Sequence, residues 1–236
     1  MKNNLLNRLW GWLDDLLWLV YPELCIACEK PLNSGEKCLC TSCRFRLPKT
    51  NFHFDENNPV IKHFWGKVKV EAAAACFLFT KGEKVQHLIH LLKYRNRKDI
   101  GVFIGMLYGY DLKKSKIFSS VDVIIPVPLH PKKLRKRGYN QSACFAEGLS
   151  QSLKVTMDLT SLCRTMETQT QTRKHRFERF ENVNRVFSVA KPENIRGKHV
   201  LLVDDVVTTG STLVACAEAL LEEPGTRVSI ATIAYA

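Results

Sequence analysis

One stretch of fourteen residues, from Val200 to Leu213, constrains the fold of this chain more than any other. An apolar run leads to two adjacent carboxylates, Asp204 and Asp205, and then to the polar loop Thr208-Thr209-Gly210-Ser211-Thr212. A short apolar run followed by turn residues indicates a buried strand, and the apolar periodicity that resumes after the loop indicates a helix. The stretch therefore predicts a strand, a tight turn and a helix in immediate succession.

The loop between this strand and helix has the chemistry of an anion site. Backbone N–H groups at a helix N-terminus favour a phosphate dianion, Gly210 allows a close backbone approach, and the Thr and Ser hydroxyls are further donors. Asp204 and Asp205 are suited to accept hydrogen bonds from a vicinal diol, such as the ribose 2′- and 3′-hydroxyls. The alternative is an ordinary capped strand–turn–helix, although buried carboxylates without a partner are costly. A Walker-type loop is excluded because Gly-Lys-Ser/Thr does not occur.

Short apolar strands alternate with helices along the rest of the chain, which is typical of an α/β fold with a mostly parallel sheet covered on both faces. We predict further strands over Val121–Val127 and Arg227–Ala234, and helices over Glu83–Tyr94, Ile100–Leu112 and Gln141–Leu153. A hairpin or strand pair is predicted over Lys67–Thr80, and residues 49–59 are predicted to be a polar connector. A hydrophobic content of 45% excludes intrinsic disorder for the bulk of the chain.

Residues 1–20 have the leucine spacing of an amphipathic helix. Asp14 and Asp15 interrupt its apolar stretch, which is too short and too charged to be a transmembrane segment or a secretory signal. We expect this helix to dock on the body of the protein, and a peripheral anchor at the inner membrane is the alternative. The chain is accordingly predicted to be cytoplasmic.

Five of the nine cysteines fall between Cys25 and Cys43, and four of these form two Cys-x-x-Cys pairs. Two such pairs, Cys25/Cys28 and Cys40/Cys43, can supply the four thiolates that structural Zn²⁺ prefers. Cys38 leaves the third ligand ambiguous, and we favour Cys40 because it restores the two-residue spacing to Cys43. The alternatives are buried free thiols or a redox pair. Residues 21–48 are therefore predicted to be a small zinc module with four cysteine ligands.

Two basic segments accompany the acidic pair. The first contains Lys132, Lys133, Arg135 and Arg137 beyond the predicted strand Val121–Val127, where it could neutralise the charge of an anionic ligand. On its own, this run could equally be a solvated surface or a nucleic-acid patch, in a chain of net charge +12. The second segment, residues 164–185, is polar and basic, and it could be either a lid or a disordered surface loop.

The loop at 208–212 resembles the signature with which type I phosphoribosyltransferases bind 5-phosphoribosyl 1-pyrophosphate (PRPP). The order of the motifs along nearly the whole chain resembles the ComF family, the competence-associated phosphoribosyltransferase-like proteins. The matching pieces are the four cysteines, Leu92-Lys-Tyr-Arg95, Pro126-Val-Pro128, Arg137-Gly-Tyr-Asn-Gln141, Thr168-x-x-Gln171, Arg179-x-x-Asn182 and the PRPP loop.

This resemblance implies a type I phosphoribosyltransferase-like domain over residues 60–236, with a zinc-ribbon-like module before it and a role in the uptake of transforming DNA. It implies that Mg²⁺-PRPP is the donor, with Asp204 and Asp205 on the ribose and residues 208–212 on the 5′-phosphate. Lys132, Lys133 and Arg135 would bind pyrophosphate, and the expected catalytic residues are Arg137, Thr168, Gln171 and Arg179. The alternative is a non-catalytic protein that binds single-stranded DNA or nucleotides, with Tyr94, Tyr139, Phe177 and Phe180 as stacking aromatics among basic residues.

Overall fold

The structure, a computed structural model, describes residues 22–164 and 186–236. The predicted N-terminal helix over residues 1–20 lies outside the described residues. So do Thr168, Gln171 and Arg179 and the aromatic residues Phe177 and Phe180.

The chain divides into two compact units, Met1–Leu47 and Pro48–Ala236. In the described part of the first unit, helix α1 (Thr41–Arg46) follows two short antiparallel bridges, Leu24 with Pro31 and Lys37 with Leu39. The side chain of Cys40 caps α1 by accepting a hydrogen bond from the Cys43 N–H.

The second unit contains a five-stranded parallel sheet with the strand order β1-β7-β6-β2-β3. A separate antiparallel pair consists of β4 and β5, which precede and follow residues 165–185 in the sequence. The strands are β1 (Ala72–Leu78), β2 (Val123–Pro126), β3 (Thr156–Met157), β4 (Leu162–Arg164), β5 (Phe187–Val189), β6 (His199–Val207) and β7 (Arg227–Tyr235). The helices of this unit are α2 (Pro59–Lys62), α3 (Lys84–Tyr94), α4 (Lys98–Leu112), α5 (Pro131–Arg137), α6 (Gln141–Leu153) and α7 (Ser211–Leu221). The predicted α/β class with a mostly parallel sheet is confirmed.

The sheet is buried because its strands are apolar on both faces. In β6, residues Val200–Val203 are 0% exposed. Alternate strand residues, such as Val200 and Leu202, join a core with Leu213 and Cys216 of α7. The uninterrupted apolar runs in the sequence thus predict the central strands correctly.

The predicted hairpin over Lys67–Thr80 is wrong. This region contributes the single strand β1, which pairs in parallel with β7 at the edge of the sheet. Residues 49–59, predicted to be a connector, belong to the second unit and pack against β1. Asn58 is 2% exposed, and its side chain donates to the Ala73 carbonyl and caps α2. The polar composition of residues 49–59 did not indicate this packing, because a polar side chain such as Asn58 can be buried when it forms hydrogen bonds with backbone atoms.

Within residues 22–164 and 186–236, no helix has the length and apolar character needed to cross a bilayer.

Candidate functional site

The acidic pair lies at the carboxyl end of β6, where ligands bind in open parallel sheets. Asp204 and Asp205 are both half-buried. The Oδ1 atom of Asp204 accepts a hydrogen bond from the Ser142 hydroxyl at 2.8 Å and from the Asp205 N–H at 2.8 Å. Ser142 lies in the first turn of α6. The Asp204 carboxylate is therefore held by both its own strand and a neighbouring helix.

A lysine that the sequence prediction did not assign to the site balances the charge of this pair. Lys93, near the end of α3, places Nζ 2.9 Å from Oδ2 of Asp205, and the two side chains are 23% and 13% exposed. Burial, followed by the Asp205 carboxylate, raises the pKa of Asp204 to about 7, while the Ser142 hydroxyl and Lys93 act in the opposite direction. Asp204 is consequently poised to exchange a proton near neutral pH.

The predicted loop connects β6 to α7 as expected. Gly210 is the N-cap of α7 and has a φ of 74°, a left-handed conformation that favours glycine. A glycine cap has no side chain to bond the first N–H groups of the helix, and Thr208 and Thr209 beside it are exposed. The Oγ1 of Thr209 lies 3.0 Å from the Ser211 Oγ. Hydroxyls and helix N–H groups are therefore gathered at one point beside the acidic pair.

A basic cavity of about 510 Å³ lies beside Lys93. Its lining residues are Lys93, Tyr94, Asn96, Lys133, Lys136 and Arg137. Lys133 and Arg137 were predicted for this region, whereas Lys132 and Arg135 do not line the cavity. Residues 131–137 form the helix α5, in which positions 133, 136 and 137 share one face, position 135 lies on the opposite face, and position 132 flanks the shared face beside 136. The sequence prediction assigned no helix here and therefore left Lys136 out of the site.

The motif Arg137-Gly-Tyr-Asn-Gln141 joins α5, which lines this cavity, to α6. Gly138 ends α5 with a φ of 78°, and Asn140 caps α6 through the Ser142 N–H. The Tyr139 hydroxyl donates to the Leu92 carbonyl at the end of α3, and the Arg137 guanidinium donates to the Gln141 side chain.

The motif thereby ties α3, α5 and α6 into one frame. Tyr139 is 7% exposed, so the expectation that it serves as a stacking aromatic is wrong. Tyr94, in contrast, is 64% exposed. The Arg137 guanidinium lies 5.4 Å from the centre of the Tyr94 ring.

The first unit contains a group of four cysteines that could hold a metal ion. The sulfur atoms of Cys25, Cys28, Cys40 and Cys43 all lie within 4.8 Å of one another. The Sγ atoms of Cys28 and Cys40 are 3.8 Å apart, and tetrahedral Zn–S bonds of about 2.3 Å place sulfur atoms about 3.8 Å apart. Cys38 is not a member of this group. The donor set and its spacing therefore fit a closed tetrahedral site.

Backbone donors favour the thiolate form that a metal requires. Burial disfavours ionisation of Cys25, but hydrogen bonds from the backbone of Cys40 and its own neighbours outweigh burial and lower its pKa to about 7. The N–H of Cys40 lies 3.3 Å from the Cys25 Sγ. The Cys25 sulfur is thus prepared for coordination at neutral pH.

Comparison with known proteins adds an independent finding to this geometry. The family model of the phosphoribosyl transferase domain matches residues 140–236. DNA utilization protein YhgH of Shigella flexneri is 30% identical over 90% of this chain and 96% of its own length. Competence protein F of Haemophilus influenzae is 29% identical over 80% and 86%, and competence protein ComFC of Bacillus subtilis is 27% identical over 56% and 52%.

A solved structure described as the allosteric regulatory enzyme of purine biosynthesis covers 61% of this chain and 30% of its own chain. It is 20% identical, with a TM-score of 0.43.

Proposed function

This chain belongs to the ComF family, together with YhgH, competence protein F and ComFC, and from that premise we propose that it binds Mg²⁺-PRPP and transfers the phosphoribosyl group to an acceptor. The single observation that carries the proposal is the convergence of three chemistries at one edge of the sheet. A carboxylate pair, a loop at a helix N-terminus and a basic cavity match the ribose, the 5′-phosphate and the pyrophosphate of one ligand. Lys93 joins two of these parts, because it contacts Asp205 and also lines the cavity.

Each of these three parts would bind a different group of PRPP. Asp204 and Asp205 accept hydrogen bonds from the ribose hydroxyls, and the N–H groups and hydroxyls of residues 208–212 bind the 5′-phosphate. Lys133, Lys136 and Arg137 bind the pyrophosphate. Bound Mg²⁺ would supply further charge neutralisation at the diphosphate. Lys132 and Arg135 do not line the cavity and would act on the diphosphate through long-range electrostatics only.

In the transfer step, a bond forms between an acceptor nitrogen and C1′ while the bond from C1′ to the pyrophosphate oxygen breaks. The electron pair of that bond leaves with pyrophosphate. The cations of the cavity stabilise the charge that develops on this leaving group. Thr168, Gln171 and Arg179 remain proposed participants on the strength of the family motif.

Titration calorimetry with PRPP and Mg²⁺ tests the binding proposal. Asp204→Ala and Asp205→Ala should each weaken affinity by roughly tenfold to a hundredfold, because each removes charge-assisted hydrogen bonds worth about 1.5–3 kcal/mol. Glu218→Ala is the control, since Glu218 is exposed and lies in α7 beyond its first turn. Unchanged affinity in the double variant would exclude the ribose assignment. Release of labelled pyrophosphate across a panel of bases and amines then tests transfer itself.

A second candidate function is the binding of single-stranded DNA. The exposed Tyr94 ring beside Arg137, Lys133 and Lys136 favours it, because single strands bind to basic grooves through base stacking. Affinity for an oligonucleotide should then fall steeply with salt, and Lys133→Ala/Lys136→Ala should reduce the slope by about 0.7 per lost phosphate contact. Competition by PRPP would indicate a shared site, and a salt-independent affinity would exclude this function.

The metal of the first unit is proposed to be Zn²⁺ in a structural role. Four thiolates complete a tetrahedral shell, so no position is left open for a substrate or a water molecule. The ion would hold together a module that is too small to be stabilised by burial alone.

A further inference from the structure

Lys93 lies between a carboxylate that attracts its ammonium group and a cluster of cations that repels it. In the structure its ammonium group lies 2.9 Å from the Asp205 carboxylate, which is 13% exposed. The same lysine lines the basic cavity with Lys133, Lys136 and Arg137. Its side chain therefore stands between the proposed ribose carboxylates and the proposed diphosphate site.

The charges on each side determine which partner Lys93 prefers. Lys93 pairs with Asp205 beside Asp204, and the described residues that line the cavity beyond it include three other cations and no acidic side chain. A bound diphosphate reverses the electrostatic balance, because it brings several negative charges to the cavity. A lysine side chain is flexible enough to follow that change, since its ammonium is carried on four methylene groups.

The paired state also has a cost for ligand binding. While Lys93 occupies Oδ2 of Asp205, that oxygen is less available to accept a hydrogen bond from a ribose hydroxyl. Release of Lys93 would free this acceptor as the diphosphate arrives. Binding of the two ends of the ligand would then be coupled through one side chain.

We propose that Lys93 is a positioning residue that exchanges partners, pairing with Asp205 before the ligand binds and with the diphosphate of PRPP afterwards. This inference rests on the proposed function, since it assigns a role within the same site. It differs from a purely structural role, in which Lys93 would keep Asp205 in place throughout.

The two roles predict different effects of removing Lys93 on the affinity for ribose 5-phosphate. Calorimetry at pH 8 would measure the affinity of pyrophosphate, ribose 5-phosphate and PRPP for the wild type, Lys93→Met and Lys93→Arg. We expect Lys93→Met to weaken pyrophosphate and PRPP binding about tenfold or more, because one charge-assisted contact is lost. The same variant should bind ribose 5-phosphate at least as tightly as the wild type, because Oδ2 of Asp205 is free. Lys93→Arg should retain pyrophosphate affinity within about threefold, since it keeps the charge.

Lys113→Met is the matched control, and thermal unfolding checks that each variant is folded. Lys113 is exposed and directly follows α4, about 20 Å along the helix axis from Lys98. A loss of ribose 5-phosphate affinity in Lys93→Met that equals the loss for pyrophosphate would overturn the exchange in favour of the structural role. Unchanged affinity for both fragments would also overturn it. If the wild type binds none of the three ligands, the proposed function falls, and this inference falls with it.

Discussion

Asp204 shows how the environment of one residue adjusts the chemistry of the site. Burial and the adjacent Asp205 carboxylate disfavour its ionised form, whereas the Ser142 hydroxyl and Lys93 favour it. The outcome is a carboxyl group with a pKa of about 7. A group of this kind can accept or donate a hydrogen bond to a ribose hydroxyl at neutral pH, depending on its protonation.

The raised pKa of Asp204 predicts a pH-dependent stability. The folded state binds the proton more tightly than the unfolded state, in which an Asp has a pKa of about 3.9. The stabilisation by the protonated form is therefore complete at low pH and is lost as pH rises through about 7.

Asp204→Asn removes the ionisable group and with it the loss of stability at high pH. It keeps a side-chain oxygen that can accept a hydrogen bond from the Ser142 hydroxyl. We expect it to stabilise the protein at pH 8 by on the order of 2–4 kcal/mol, or roughly 5–10 °C in Tm. The advantage should shrink as pH falls toward 5. Thermal unfolding between pH 5 and pH 8 measures it, and a difference that does not vary with pH would contradict the assigned pKa.

At the scale of elements, the close packing of α4 against α6 positions the helix that carries Ser142. Gly105 of α4 and Gly148 of α6 lie at the contact. A Cβ atom at Gly105 would lie 2.9 Å from the Leu149 backbone nitrogen and would overlap the Phe145 carbonyl. The glycines are needed because backbone, which cannot move aside, occupies the space beyond them.

Gly105→Ala should therefore destabilise the second unit by about 1–3 kcal/mol, despite the higher helix propensity of alanine. The cause is the forced separation of α4 and α6. Urea denaturation measures the change, and Glu147→Ala, at an exposed position of α6, is the control that should change stability little. A neutral Gly105→Ala would show that the two helices can move apart without cost.

For the whole molecule, two units are each stabilised by a different physical means. The second unit has an extensive apolar core around its parallel sheet. In the described part of the first unit, the group of four cysteines is accompanied by four other buried apolar side chains, Ile26, Leu32, Leu39 and Leu47. Loss of metal should accordingly affect one unit and spare the other.

Purified protein is expected to contain about one zinc ion per chain by elemental analysis. Cys40→Ser should lose most of this zinc because one of four thiolates is removed, whereas Cys38→Ser should keep it. Circular dichroism of Cys40→Ser should retain the helix and strand content of the second unit, which has its own core. Zinc loss in Cys38→Ser, or global unfolding of Cys40→Ser, would contradict this division.

Local patterns in the sequence were sufficient to predict the fold class, the central strands and helices, and the loop at 208–212. They were sufficient because backbone preference, apolar period and Cys-x-x-Cys spacing act over a few neighbouring residues. The pairing of Lys93 with Asp205 and the bond from Ser142 to Asp204 join distant segments, so no local pattern reports them. The faces of α5 and the burial of Tyr139 likewise depend on how the helices pack, because charge and aromatic character do not specify the direction of a side chain. The sequence alone thus determined which chemical groups are present, and only the tertiary structure decided which of them meet.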